Sequence, residues 1–273
     1  MPVYSGSQTD VKPAGFIPSD NIIIPEVIWA PASGGGEWQT ELVITDVDSS
    51  TGVEVSVIFY SGINSSPILS LWLSPGPGSS IKFSNIMEIL QGLDTENTYY
   101  GKVGALWLFC EDPNTTIMAS ARIYNGDYGK SYTGMAWTDE NTVNVGFGMA
   151  LHNLSHNENV RSAVSVFNAA AGGYSMTADF VLVDAGANEI GSFSKSFIPW
   201  EYKAFDPFIE AGLGAGTYDN CALVVIPTST GQSTPDRGLY IIGSSALTST
   251  NDSYPHFPIR EEIVVTSSLL KYD

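Results

Sequence analysis

Residues 37–46 read EWQTELVITD and residues 159–168 read NVRSAVSVFN. Laying the second over the first, with Ser162 on Thr40, sets an offset of 122 residues that the rest of the chain keeps. Downstream, VEVSVIFYSG (53–62) falls on MTADFVLVDA (176–185), and LSLWLSP (69–75) on FSKSFIP (193–199). FSNIMEI (83–89) then falls on FDPFIEA (205–211), and GALWLF (104–109) on CALVVI (221–226). Five blocks hold their order with drifts of a few residues, the mark of an internal repeat. The chain therefore reads as two copies of one module, at about 22–137 and 144–259.

Each block alternates with period 2, which places every second side chain on one face of a strand. Leu42 and Ile44 alternate with Glu41, Val43 and Thr45, while Val53, Val55, Val57 and Phe59 share a face. Turn-forming clusters punctuate the runs: DSSTG, SGINSSP, SPGPGSS, EDPNTT and YNGDYG. Six or seven short strands per copy, with turns at regular spacing, predict an all-β chain. The expected architecture is two tandem immunoglobulin-like antiparallel β-sandwiches related by internal duplication, each with one short helix. Asp206 followed by Pro207 is a helix N-cap and first-turn signal, and Ser84 takes the capping place before NIMEIL in the first copy.

With linkers included, the modules run 22–140 and 141–259. Residues 1–21, with Pro2, Pro13 and Pro18 and no periodicity, read as an extended arm. Residues 260–273, REEIVVTSSLLKYD, read as one more strand with apolar residues on both faces. Such a strand wants cover on two sides, from its own sandwich or from another subunit.

Composition narrows the function. Eleven Lys and Arg against 29 Asp and Glu give a net charge of −18, which repels nucleic acid and anionic lipid. No run approaches the roughly 18 apolar residues of a spanning helix, so membrane insertion is not expected. The opening MPVYSGSQTD has no basic n-region and no apolar h-region, so a signal peptide is not visible.

Four sets of residues invite a chemical reading. His152, His156 and Glu158 in LHNLSHNENV could gather a metal, with His256 as another possible ligand. The zincin spacing is incomplete, because Asn153 stands where the glutamate belongs. Against the first copy the segment lies over WAPASGGGEW, so a loop is expected there. TDVDSSTG (45–52) resembles the start of a calcium loop through Asp46 and Asp48, but its Gly comes one position late and the bidentate acid is missing. An acidic hairpin that keeps a sheet end soluble is the simpler reading. No nucleophile elbow, Walker lysine or Cys/His pair with known spacing is present, so no enzyme and no cofactor beyond weak calcium is expected.

Cys110 ends its strand and Cys221 begins the corresponding one, so they are not a repeated intradomain disulfide. They are either a bridge between modules or two buried thiols. Sequons at Asn64, Asn114, Asn153 and Asn251 fall in expected loops and fit an exported protein. In ILSLWLSP the leucines turn inward and Trp72 outward, whereas the second copy has Ser196 there. An outward Trp that its own module does not need is an interface anchor or a sugar platform. Trp107 sits in a strand apolar on both faces and reads as core. The interface candidates are Trp72 together with Ile263, Val265 and Leu269 of the tail.

These patterns resemble a tandem β-sandwich module of bacterial secreted and surface proteins. Its W-x-T-x-L-x-L-x-N strand is matched by Trp38, Thr40, Leu42, Ile44 and Asp46, with Asp replacing Asn. Its later strand pair is matched by Gly104, Leu106, Ala119, Arg122, Tyr124 and Asn125, with Ala121 where Ser is usual. The second copy keeps only the periodicity, with Leu247 and Thr248 at the places of Ile123 and Tyr124. The resemblance implies an extracellular or cell-surface location and a non-catalytic role. The expected function is a structural or adhesive protein, a self-assembling surface or filament subunit that uses its terminal strand and arm. The alternative is a carbohydrate-binding module. The expected partners are further copies of the chain or a surface polysaccharide.

Overall fold

A computed structural model describes residues 18–32, 35–73, 78–137, 142–143, 148–169, 173–214, 216–230, 238–247, 253–256 and 259–261. The fold is all-β, with two short helices and several antiparallel sheets, none of them closed, among the described residues.

The first half contains β1 (Asn21–Pro31), β2 (Glu37–Asp46), β3 (Val53–Ser61), β4 (Asn64–Ser65), β5 (Leu69–Leu73) and β6 (Ser80–Phe83). Helix α1 (Ile86–Leu93) follows, then β7 (Lys102–Cys110), β8 (Ile117–Asn125), β9 (Tyr128–Thr133) and β10 (Met135–Ala136). The second half contains β11 (Gly148–His156), β12 (Val160–Asn168), β13 (Met176–Val183), β14 (Glu189–Phe197) and β15 (Tyr202–Phe205). Helix α2 (Pro207–Glu210) precedes β16 (Tyr218–Thr230), β17 (Leu239–Leu247), β18 (Ser253–His256) and β19 (Ile259–Glu261).

One layer of the first half runs β5-β3-β7-β1-β10, and the matching layer of the second runs β14-β13-β16-β11-β19. The other layers run β6-β2-β8-β9 and β15-β12-β17-β18. The registers correspond as well as the order. Val57 opposite Leu108 is matched by Phe180 opposite Val225, and Thr40 opposite Ile123 by Ser162 opposite Ser245, so Ser245 rather than Leu247 takes the place of Ile123. Both halves break the first ladder at the same place, between Ile24 and Val27 and between Leu151 and Leu154.

The alternation read from the sequence is the alternation of burial. Val53, Val55, Val57 and Phe59 face Leu42, Ile44, Ile117, Ala119, Ala121 and Ile123 across the first half. Met176, Ala178, Phe180 and Leu182 face Val164, Val166, Leu239 and Ile241 across the second. Each fully buried Leu, Ile or Phe contributes roughly 1.5–3 kcal/mol relative to exposure.

Three expectations are corrected. LHNLSHNENV is not one loop: Leu151–His156 belongs to strand β11 and only 157–159 turn, and the registers set Leu151 over Ile24 of strand β1 rather than over Trp29. The bulge hides the period, with Asn153 at φ 62° in the second half and Pro25 inside the break in the first. The residue capping α1 is Asn85 rather than Ser84, and it makes no side-chain cap bond. Trp107 points away from the core between the layers, since its neighbours Leu106 and Leu108 take the inner face. The cap of α2 stands as expected, Asp206 accepting from the amides of Phe208 and Ile209 with Pro207 in the first turn.

Candidate functional site

A large cluster of aromatic contacts among the described residues lies at the junction between the halves. On the outer face of the first layer, β3 and β7 set Ile58 opposite Trp107 and Tyr60 opposite Ala105. On the outer face of the second half's other layer, Phe167 lies opposite Tyr240 and Tyr202, and Ser165 opposite Ile242. These two faces meet, so Phe167, Ala169, Tyr202, Tyr240 and Ile242 join the apolar cluster of the first half.

Trp200 keys the contact. It stands in the turn between β14 and β15 at φ 63°, a left-handed conformation that is unfavourable for a bulky residue. Its ring stacks on Tyr60 (centroids 5.4 Å apart) and on Trp107 (5.2 Å), both at 14°. Trp137 meets Trp107 and Trp200 edge-on at 4.4 and 5.9 Å. Such aromatic pairs contribute roughly 0.5–1.5 kcal/mol each beyond the area they bury. The Tyr202 amide donates to the Gly62 carbonyl (2.8 Å) and the Tyr240 hydroxyl to the Ala136 carbonyl (3.4 Å), fixing the two faces in register.

Beside the aromatic stack lies a polar seam. Lys130 on β9 and Glu26 in the β1 bulge form a buried ion pair at 2.6 Å. Burial, with the Glu26 charge behind it, holds the Tyr132 and Tyr202 phenols well above their usual range, so both stay protonated. Burial pushes Tyr60 up to about 12. The Tyr202 hydroxyl lies 3.0 Å from that of Ser165. On the second half, His256 Nε2 lies 2.8 Å from Ser245 Oγ, which in turn lies 2.7 Å from Ser162 Oγ. Burial and then the charge of Lys130 lower the pKa of His256 below 6.5. A buried charge held by an opposite charge, flanked by neutral hydroxyls, is an arrangement that fixes a geometry.

The residues singled out from the sequence fall elsewhere. His152 and His156 both lie on β11. His156 stacks on Phe208 (5.3 Å), and its Nδ1 is 3.1 Å from Asp206 Oδ2, an ion-pair distance without hydrogen-bond alignment. Glu158 is exposed in the turn after the strand. His156 and Glu158 do line a common open cleft of about 1040 Å³, with Arg161, Asp206, Asp219 and Ser244. Among the described residues, no three His, Cys, Asp or Glu side chains converge to hold a metal.

Asp46 is buried, its Oδ1 accepting from the Ser49 amide at 2.9 Å. Asp48 accepts from the amide and hydroxyl of Thr116, both at 2.9 Å, which holds its carboxyl below the usual range. These carboxylates tie the β2–β3 turn to the start of β8. Cys110 and Cys221 are free buried thiols rather than a bridge. Burial pushes Cys110 up to about 12, aided by the charges of Asp20, Asp48, Asp46 and Asp112.

Trp72 is 60% exposed on edge strand β5, opposite Glu54, with exposed Ile68 on the same side. Ile263, Val265 and Leu269 lie outside the described residues, as do Asn251 and residues 1–17. Trp200 escaped the sequence reading because a lone aromatic in the turn FIPWEY carries no period. Asp206 was read as a cap alone, since nothing local connects it with His156 fifty positions earlier. No family model, curated protein or solved structure matches the chain.

Proposed function

We propose that this chain is a non-catalytic structural or adhesive protein acting outside the cell, a self-assembling surface or filament subunit. Its two halves are immunoglobulin-like modules that arose by duplication, a reading supported by their shared strand order, registers and bulge. The observation that carries the functional reading is the junction. Aromatics stacked across the junction, beside a buried ion pair of the first half, hold two sandwich-like units together as one body, which suits a load-bearing element. The test is electron microscopy of the native material together with sedimentation of the purified chain. Ordered polymers support the reading, and a chain that is monomeric in both overturns it.

Trp72 favours a second reading, a carbohydrate-binding module. Its 60% exposure offers an aromatic face of the kind on which sugar rings stack. Polysaccharide that quenches tryptophan fluorescence in the native chain, and no longer does so in Trp72→Ala, would establish it.

A further inference from the structure

We infer that copies of this chain associate head to tail through the two faces that correspond to its own internal junction, one at each end. This rests on the assembling-subunit reading and specifies its contact.

The argument is one of register. In the first half, the rows Ile58–Trp107, Ser56–Phe109 and Tyr60–Ala105 form the outer face on which the second half sits. The same rows in the second half are Val181–Val224, Asp179–Ile226 and Val183–Ala222. Their inward neighbours Phe180, Leu182, Leu223 and Val225 are fully buried, so Val181, Val183, Val224 and Ile226 point outward. All four remain partly exposed. The corresponding rows of the first half carry Ile58, Tyr60, Trp107 and Phe109, and there the second half covers them.

The complementary face also recurs. The second half docks through the rows Phe167–Tyr240 and Ser165–Ile242. Their counterparts in the first half are Thr45–Met118 and Val43–Ser120, all partly exposed. Val43 and Met118 are therefore the first-half counterparts of the residues by which the second half docks, and on this inference they meet Val181 and Val224 of the next copy.

The internal junction joins two different faces of like units. A contact between unlike faces leaves one face free on each copy, so its repetition runs on into a filament, or into a ring where the rotation closes, whereas a face that pairs with its own copy stops at a dimer. The occupant of the aliphatic face is accordingly a second copy of this chain, presented by its first half. The contact between copies has aliphatic side chains where the internal one has Trp107 and Phe109, so it is the weaker of the two and comes apart on dilution.

The experiment uses the full chain and two outward-facing substitutions, Val224→Glu and Met118→Glu, each checked for an unchanged circular dichroism spectrum and melting temperature. By sedimentation velocity, the unaltered chain is expected to grow with concentration beyond a dimer. Each variant alone is expected to run at the mass of a single chain. Mixing the two leaves one intact face on each copy, so the mixture is expected to stop at dimers. A second measurement uses Met118→Cys together with Val224→Cys in one chain. Mild oxidation is expected to give a ladder of linked multimers, whereas each single-cysteine variant gives none.

An unaltered chain that stays monomeric overturns both this inference and the reading beneath it. Assembly that persists in either glutamate variant, or a mixture that yields no dimer, overturns the faces named here and leaves the assembling reading standing.

Discussion

The two halves share a strand order and differ in how their layers are tied. In the first, β1 and β2 pair through Ala30–Trp38 and Pro31–Glu37, so both layers belong to one ten-stranded sheet. In the second, the layers are separate sheets of five and four strands. The outer faces differ too: aromatic in the first half, where a neighbour sits, and aliphatic in the second. The same backbone plan thus carries an aromatic outer face in one half and an aliphatic one in the other, and the side chains on alternate strand positions decide which.

The comparison is broken most directly at Trp200. Trp200→Ala deletes the ring that both halves share and is expected to cost about 3 kcal/mol in urea unfolding. It should also split the unfolding into two transitions, because the halves no longer report on one another. A single unchanged transition would show that the stack does not couple them.

The polar seam is next. Lys130→Met leaves Glu26 buried without its partner, at an expected cost of about 2–3 kcal/mol. Adding Glu26→Leu should restore most of that loss, since removing both charges removes the need for either. A double variant no better than the single one would mean that the pair does not act as a unit.

The helices sharpen the contrast at a smaller scale. Asp206→Ala removes an N-cap that accepts from two amides and is expected to cost about 1 kcal/mol. Asn85→Ala removes a side chain that caps nothing and whose buried amide atoms have no hydrogen-bond partner, so its cost should be near zero.

The smallest effect is one of pH. Because burial and Lys130 hold the pKa of His256 below 6.5 in the folded chain, the unfolded chain takes up that proton first on acidification. The stability from this residue is present above about pH 6.5 and is lost as pH falls toward the folded value. Denaturation between pH 7.5 and 5.5 should therefore show a steeper loss for the native chain than for His256→Gln. Parallel curves would mean that His256 is not held neutral.

The layers were legible in the sequence because Leu42, Ile44, Val55, Val57, Phe180 and Leu182 obey a period that burial enforces on every strand with one dry face. The cap at Asp206 was legible because its chemistry is local. β11 was not, because a bulge at Asn153 shifts the face of every residue after it and leaves no period to read. The outer faces were also hidden. A strand apolar on both sides, such as the one carrying Trp107, shows that something covers its second face without showing what. Trp200 and Tyr60 lie 140 positions apart, and the stack they make exists only once both halves are folded.

The first and last described strands differ in how they would carry a pull on the chain. β1 is held to β7 by seven residue pairs, and also by pairs to β2 and β10. β19, the last described strand, is held by three pairs to β11. Tension applied between the two ends therefore loads a long, multiply anchored ladder on one side and a short one on the other. Among the described strands, β19 is therefore expected to peel from its sheet before β1 does.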